Sequence, residues 1–224
     1  MTTPCAPAHF LERIDQWASL CPERVAVSSG GRRLTWRELV SHSDRLAHWL
    51  DRELAGKTGP IAVHGHKEPE MLVAFLAAVK SGRAYVPMDA SIPEARVAKI
   101  IETAGASLVL TPKRVEEVLA DSSLRAGTSA LRRIEGTDPF YILFTSGSTG
   151  EPKGVVITLE NLTSFTDWLL AEHPFEAQGE TFLNQAPFSF DLSVMDLYGS
   201  LLSGGTLECI TKEELSNLKL LYQR

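Results

Sequence analysis

The chain has 224 residues, enough for one large domain or two small ones. Its 22 basic residues against 28 acidic ones leave a formal charge of −6, which disfavours phosphate-backbone binding as the main task, and no nucleic-acid partner is expected. The hydrophobic share of 44% and charged share of 22% are those of a globular chain, so whole-chain disorder, collagen-like repeats and a disulfide scaffold are excluded. The longest apolar stretch, Met71–Val79, falls short of the roughly 20 residues that span a bilayer, so no membrane insertion is expected. Met1–Phe10 has neither the basic start nor the apolar core of a signal peptide. Cys5, Cys21 and Cys209 are odd in number, far apart and free of a CxxC pattern. They predict no disulfide framework and no zinc site, and a reducing cytoplasm as the location.

Taken in chain order, Phe10, Ile14 and Trp17 recur at helical spacing. Val25–Ser28 and Arg33–Trp36, split by Ser29-Gly30-Gly31, predict a hairpin. Thr35-Trp36-Arg37-Glu38 is a capping box for a helix running to about Leu50. Ile61–Val63 predicts a short strand, and Pro69 to Gly82 a helix apolar nearly all round, hence buried. Ala84–Val86 is the next strand. Ser91-Ile92-Pro93-Glu94 reads as a second capping box, opening a helix to about Thr103. Ser107–Leu110 predicts a strand and Asp121–Thr137 a loop. Phe140–Phe144 and Gly154–Thr158 are strands around a Gly-rich loop, followed by a helix over Asn161–Glu172. Thr181–Gln185 and Thr206–Ile210 are strands, with a helix over Ser193–Leu202 between them. Leu215, Leu218 and Leu221-Tyr222 would share one face of a last helix. Short apolar strands alternating with helices predict an α/β fold of parallel sheets flanked by helices in layers.

The chemistry concentrates in Thr145-Ser146-Gly147-Ser148-Thr149-Gly150-Glu151-Pro152-Lys153-Gly154, which follows an apolar strand. Glycines let backbone amides approach an anion closely, hydroxyls add donors, and a lysine neutralises charge. The pattern departs from GxxxxGK[ST], so this is not a Walker A loop. A second candidate is Asp191, just ahead of an apolar helix. Position alone makes it an N-cap. His64 and His66 are two apart, with no third ligand placed by sequence, and read as strand-end residues rather than a metal pair. Trp36, Trp49 and Trp168 read as core, and Cys209 as an apolar strand end.

The loop resembles the phosphate-binding loop of the adenylate-forming superfamily, which includes acyl-CoA synthetases, luciferases and peptide-synthetase adenylation domains. Leu34–Leu39, Val79–Asp89 and Phe190–Ser193 resemble further superfamily motifs in the same order. Phe182–Tyr198, His64–Met71 and Leu162–Trp168 are similar to the D-alanine-activating ligases that load a D-alanyl carrier protein. The resemblance covers nearly the whole chain but only the front part of the family pattern.

What the resemblance implies is a two-step reaction. The D-alanine carboxylate attacks the α-phosphorus of ATP to give D-alanyl-AMP and pyrophosphate. The thiol of a phosphopantetheinylated D-alanyl carrier protein then takes the alanyl group, for lipoteichoic acid D-alanylation. By the same resemblance Thr145, Ser146, Gly147, Ser148, Thr149, Gly150 and Lys153 hold the ATP phosphates, with Thr145 and Ser146 the first choices for direct contact. Asp191 pairs the substrate ammonium, because a buried ammonium needs an anion. Mg2+ is the implied cofactor beside ATP. No catalytic residue and no metal ligand is assigned within the chain.

The family's Tyr-Gly-Pro-Thr-Glu, Thr-Gly-Asp and C-terminal Asn-Gly-Lys segments have no counterpart in these residues. The expectation is therefore an incomplete N-terminal domain, 1–224, without the C-terminal lid domain and not competent for turnover alone. About 60–175 would form a first sub-domain, and 1–55 with 181–224 a partial second one. Competing readings are an adenylation domain for another amino acid, an acyl-CoA synthetase (which Asp191 argues against), and a non-catalytic remnant.

Overall fold

The computed structural model describes residues 10–124, 134–146, 151–173, 175 and 179–216. After two short helices, α1 (Phe10–Asp15) and α2 (Trp17–Leu20), strands β1 (Val25–Ser29) and β2 (Arg32–Thr35) form the expected antiparallel hairpin. Its turn is Gly30-Gly31, both at positive φ, +53° and +82°, where side chains are disfavoured. Helix α3 (Trp36–Glu53) starts in the expected capping box: Glu38 N–H donates to Thr35 Oγ1 at 3.2 Å, and Thr35 N–H to the Glu38 carboxylate at 2.8 Å. It runs one turn beyond the expected end.

There follow β3 (Ile61–Gly65), α4 (Pro69–Lys80), β4 (Tyr85–Asp89), α5 (Glu94–Ala104), β5 (Leu108–Leu110) and α6 (Pro112–Ala120). The remaining elements are β6 (Pro139–Ser146), β7 (Pro152–Thr158), α7 (Leu159–Glu172), β8 (Thr181–Asn184), α8 (Leu192–Ser203), β9 (Thr206–Cys209) and α9 (Lys212–Ser216). The first sheet has the order β2-β1-β9-β8, the second β5-β3-β4-β6-β7. Strands β1, β9 and β8 run parallel, as do β5, β3, β4 and β6. The fold is α/β, with two mixed, mostly parallel sheets. Their facing side chains, Val27 and Leu207 from the first and Val63 and Tyr85 from the second, join one core around α4.

Several expectations need correction. The sheets are not purely parallel: β7 returns antiparallel on β6, with Thr145 opposite Lys153 and Ser146 opposite Pro152. Residues 147–151 are too few for a parallel crossover, which takes about a dozen. The phosphate-loop candidate therefore joins the two strands of a hairpin.

Ser91 does not cap α5. The helix begins at Glu94 after Pro93, while the Ser91 hydroxyl and amide both donate to Asp89, the amide at 2.9 Å. The Ser91 amide, which a capping box would give to the Glu94 side chain, goes instead to the buried carboxylate two residues back. Helix α6, for which no element was expected, carries the usual start signals: Thr111 Oγ1 accepts from Arg114 N–H at 3.2 Å and Pro112 opens the first turn. Trp36 is core, but Trp168 lies on the outer face of α7 and is 53% exposed. Of the Asp121–Thr137 loop, 125–133 lies outside the described residues, as does 217–224 with most of the last apolar face.

Candidate adenylate site

The open side of the second sheet is where the carboxyl ends of β3, β4 and β6 lie together. Register places Gly65 beside Asp89, and Tyr85 beside Tyr141. Ligands bind parallel sheets at such ends, because the following loops diverge there and leave a crevice. A cavity of about 560 Å3 occupies this place. Its floor is Tyr141, Leu143 and Thr145 of β6 with Val155 and Ile157 of β7; its walls are Arg96 and Ile100 of α5 and Ser189, Phe190 and Asp191 ahead of α8. The cavity thus draws residues from both sheets' exits.

Thr145 is exposed at the end of β6, and its hydroxyl donates to the Lys153 carbonyl at 3.5 Å. Lys153 stands exposed opposite it on β7. Gly154 makes the hairpin possible at this width: a Cβ there would lie 3.1 Å from both Ile142 and Phe144 side chains. Of the other expected phosphate-binding residues, Ser146 is the last residue of β6, and Gly147, Ser148, Thr149 and Gly150 lie outside the described residues. Glu151 beyond them is paired to Lys99 of α5 at 2.5 Å, which ties the hairpin to the cavity wall.

Asp191 is exposed at the N-cap position of α8. Its Oδ1 accepts from the Leu192 amide at 2.9 Å, whereas an Asp cap normally takes the amide two or three residues on. Those amides are used elsewhere: Ser193 N–H donates to the Phe190 carbonyl at 3.1 Å and Val194 N–H to the Asp191 carbonyl at 2.9 Å. The carboxylate is therefore nearly unspent as a cap. Its charge acts on Tyr141, whose hydroxyl is pushed up to about 12 by burial and then by Asp191. An anion in this position suits a cationic group entering the cavity.

Also lining the cavity, Asp89 is buried and accepts from Ser91 while pairing with His66 Nδ1 at 2.5 Å. Burial works to raise its pKa, but the Ser91 and His66 bonds win and hold it below the usual range. His64 sits within β3 and His66 just after it. Cys209 is fully buried at the end of β9, its thiol pushed up to about 12 by burial, so it is no nucleophile. Among the described residues no group of three or more His, Cys, Asp or Glu is arranged for a metal, and no helix is long and apolar enough to cross a membrane. The sequence reading missed Tyr141 on the cavity floor and Arg96 on its wall, which carry no local pattern, and gave no role to Ser189 within the Phe182–Tyr198 stretch.

The family profile of the AMP-binding enzymes matches residues 14–223. The chain belongs to the AMP-binding enzyme family. It is 43% identical over 227 residues to the D-alanine–D-alanyl carrier protein ligase of Bacillus velezensis and 44% identical over 226 residues to that of Bacillus licheniformis. Each match takes in 96% of this chain and 45% of the relative, so the chain spans under half the length of these curated relatives. The fold matches the Klebsiella oxytoca NpsA N-terminal subdomain, solved with 3-hydroxyanthranilyl-AMSN, at TM-score 0.80 and 25% identity, covering 95% of this chain and 55% of that one. It also matches the nonribosomal peptide synthetase FmoA3 at TM-score 0.76 and 31% identity, over 94% of this chain and 23% of that one.

Proposed function

We propose that this chain carries the phosphate-loop and ammonium-binding part of a ligase that activates D-alanine with ATP. The carboxylate of D-alanine attacks the α-phosphorus, the bond to pyrophosphate breaks, and the alanyl group of D-alanyl-AMP passes to the phosphopantetheine thiol of a D-alanyl carrier protein. Thr145, Ser146, Gly147, Ser148, Thr149, Gly150 and Lys153 would hold the phosphates, and Mg2+, for which the described residues offer no ligand group, would balance their charge. Asp191 pairs the substrate ammonium. The work of these residues is positioning and charge neutralisation.

The observation that carries this reading is the Asp191 carboxylate, little used by its own helix and opening on the cavity that Thr145 also lines. Identity to the two Bacillus ligases supports D-alanine as the amino acid. The test is calorimetric titration of the chain with D-alanyl-sulfamoyl-adenosine, a non-reacting stand-in for D-alanyl-AMP. Saturable binding that prefers the D-alanyl over the L-alanyl and L-valyl forms, and drops about tenfold in Asp191→Asn, is the expected result, since a charge-assisted contact contributes about 1.5–3 kcal/mol. Equal binding of all three forms would transfer the chain to the peptide-synthetase reading, which the FmoA3 likeness favours. No D-alanine-dependent pyrophosphate exchange is expected from these 224 residues alone, since the family's ribose and transition-state segments are not among them.

A further inference from the structure

Lys67 follows β3, inside the His64–Met71 stretch, where the sequence gives it no role of its own. Its side chain, 1% exposed, crosses from the second sheet to the exit of the first. Nζ donates to the main-chain carbonyls of Asn184 at 2.9 Å and Ala186 at 2.7 Å, and to the Asn184 side-chain oxygen. It also lies 5.3 Å from the centroid of the Phe188 ring. Asn184 ends β8, and Ala186 and Phe188 belong to the short connection from it to α8, which brings Ser189, Phe190 and Asp191 to the cavity. An ammonium has three N–H groups, and three oxygens take them.

The groups that face this ammonium are Cys209 on β9, Asp196 on α8 and Asp89 on β4. Asn184 Nδ2 donates to Asp196 at 3.3 Å, so the carboxylate completes the cluster from the far side. Burial pulls Lys67 down to about 8 despite these neighbours. A buried cation that burial opposes does not serve simply to fill space, because an apolar side chain would do so without the desolvation cost.

We propose that Lys67 is a positioning residue, whose three-way grip on Asn184 and Ala186 sets the place from which Asp191 faces the cavity. Only the purpose of that placement rests on the proposed function; the grip itself stands on geometry. A neutral amine keeps two N–H groups and cannot serve three oxygens, so the connection loosens as Lys67 loses its proton. Global stability moves the other way. The folded pKa lies below the unfolded value of 10.5, so the unfolded chain binds more protons between about 8 and 10.5, and the Lys67 contribution rises with pH across that window. Loosening confined to the 185–191 connection, against a global gain, is what the grip predicts.

The experiment is hydrogen exchange of wild type, Lys67→Met and Lys67→Arg at pH 7 and pH 9.5, corrected for intrinsic rates, with the Lys67 Cε resonance followed in the same range. Lys67→Met should speed exchange of the 185–191 amides about tenfold at pH 7 and leave β3 and β4 unchanged, the scale of one lost charged hydrogen bond. Wild type should show the same local loosening at pH 9.5, in step with the Lys67 resonance, while Lys67→Arg holds. Unchanged amides, or protection lost evenly across β3, β4 and β8, overturn the proposal. If neither variant folds, the wild-type pH series decides alone: local exchange that does not follow the Lys67 titration overturns it. A wild type that fails to bind D-alanyl-sulfamoyl-adenosine would sink the functional reading without touching the exchange result.

Discussion

Helices α4 and α8 each have twelve residues, and both are largely apolar, yet they are used differently. Every residue of α4 is buried, because it lies in the core shared by both sheets. In α8 the last turns are buried, from Leu197 to Ser203, while Leu192 is 75% exposed and Met195 46% exposed at its start. Apolar composition alone predicts burial for both. The difference is one of place: α4 has structure on every side, whereas the first turn of α8 stands at the rim of a cavity. The unburied start of α8 is the end that follows Asp191 at the cavity rim.

The largest effect that separates the two helices is truncation of a buried leucine. Leu72→Ala in α4 should cost about 2–5 kcal/mol, the range for a leucine deleted from a tight core. Leu192→Ala in α8 should stay within about 0.5 kcal/mol, as exposed substitutions do. Urea unfolding of the two variants reads this directly, and similar costs would show that the start of α8 is packed in solution.

Next in size is the far end of α8. Gly204 closes the helix at φ +71°, and a Cβ there would lie 2.5 Å from the Trp17 ring. Gly204→Ala combines left-handed strain with overpacking and should cost about 1–3 kcal/mol by the same assay. A neutral result would mean that Trp17 moves aside easily, and that the C-terminal end of α8 is as loose as its start.

Much of this was legible in the sequence, and the parts that were not share a cause. The capping box at Thr35, the hairpin at Gly30-Gly31 and the buried helix after Pro69 are local patterns, and they appear as expected. The antiparallel return of β7 was readable from loop length, and α6 from Thr111-Pro112 with Val115 and Val118 three apart. Trp168 was misread because a tryptophan on an amphipathic helix carries no mark of which face it takes. For the site, the Thr145–Gly154 stretch and Asp191 were visible as motifs. The roles of Tyr141 and Lys67 were not, since each depends on a partner more than forty residues away in the chain, and Arg96 enters only through its place on the cavity wall.

Asp191 gives the third test, where stability and binding should part company. Its carboxylate caps α8 only through the adjacent amide, so Asp191→Ala should change unfolding free energy by less than about 0.5 kcal/mol. Binding of D-alanyl-sulfamoyl-adenosine should nevertheless fall about tenfold or more. A stability loss near that of an ordinary Asp cap, about 1 kcal/mol, would return Asp191 to the capping role that its position in the sequence first suggests.

The smallest expected effect is also the most local. Tyr141 is raised to about 12, first by burial and then by the Asp191 charge. Its folded pKa lies above the unfolded value of 10.0, so the folded chain keeps a proton that the unfolded chain gives up. The Tyr141 contribution to stability is therefore full below pH 10 and falls as pH rises from there toward 12. Asp191→Asn removes the second cause and leaves the first, so Tyr141 should ionise at lower pH than in wild type but still above 10. Absorbance titration near 295 nm reads the shift, with Tyr141→Phe assigning the step among the four tyrosines. An unchanged Tyr141 step would mean that the Asp191 carboxylate points away from the cavity in solution, and the contrast between a working and a packed helix end would lose its centre.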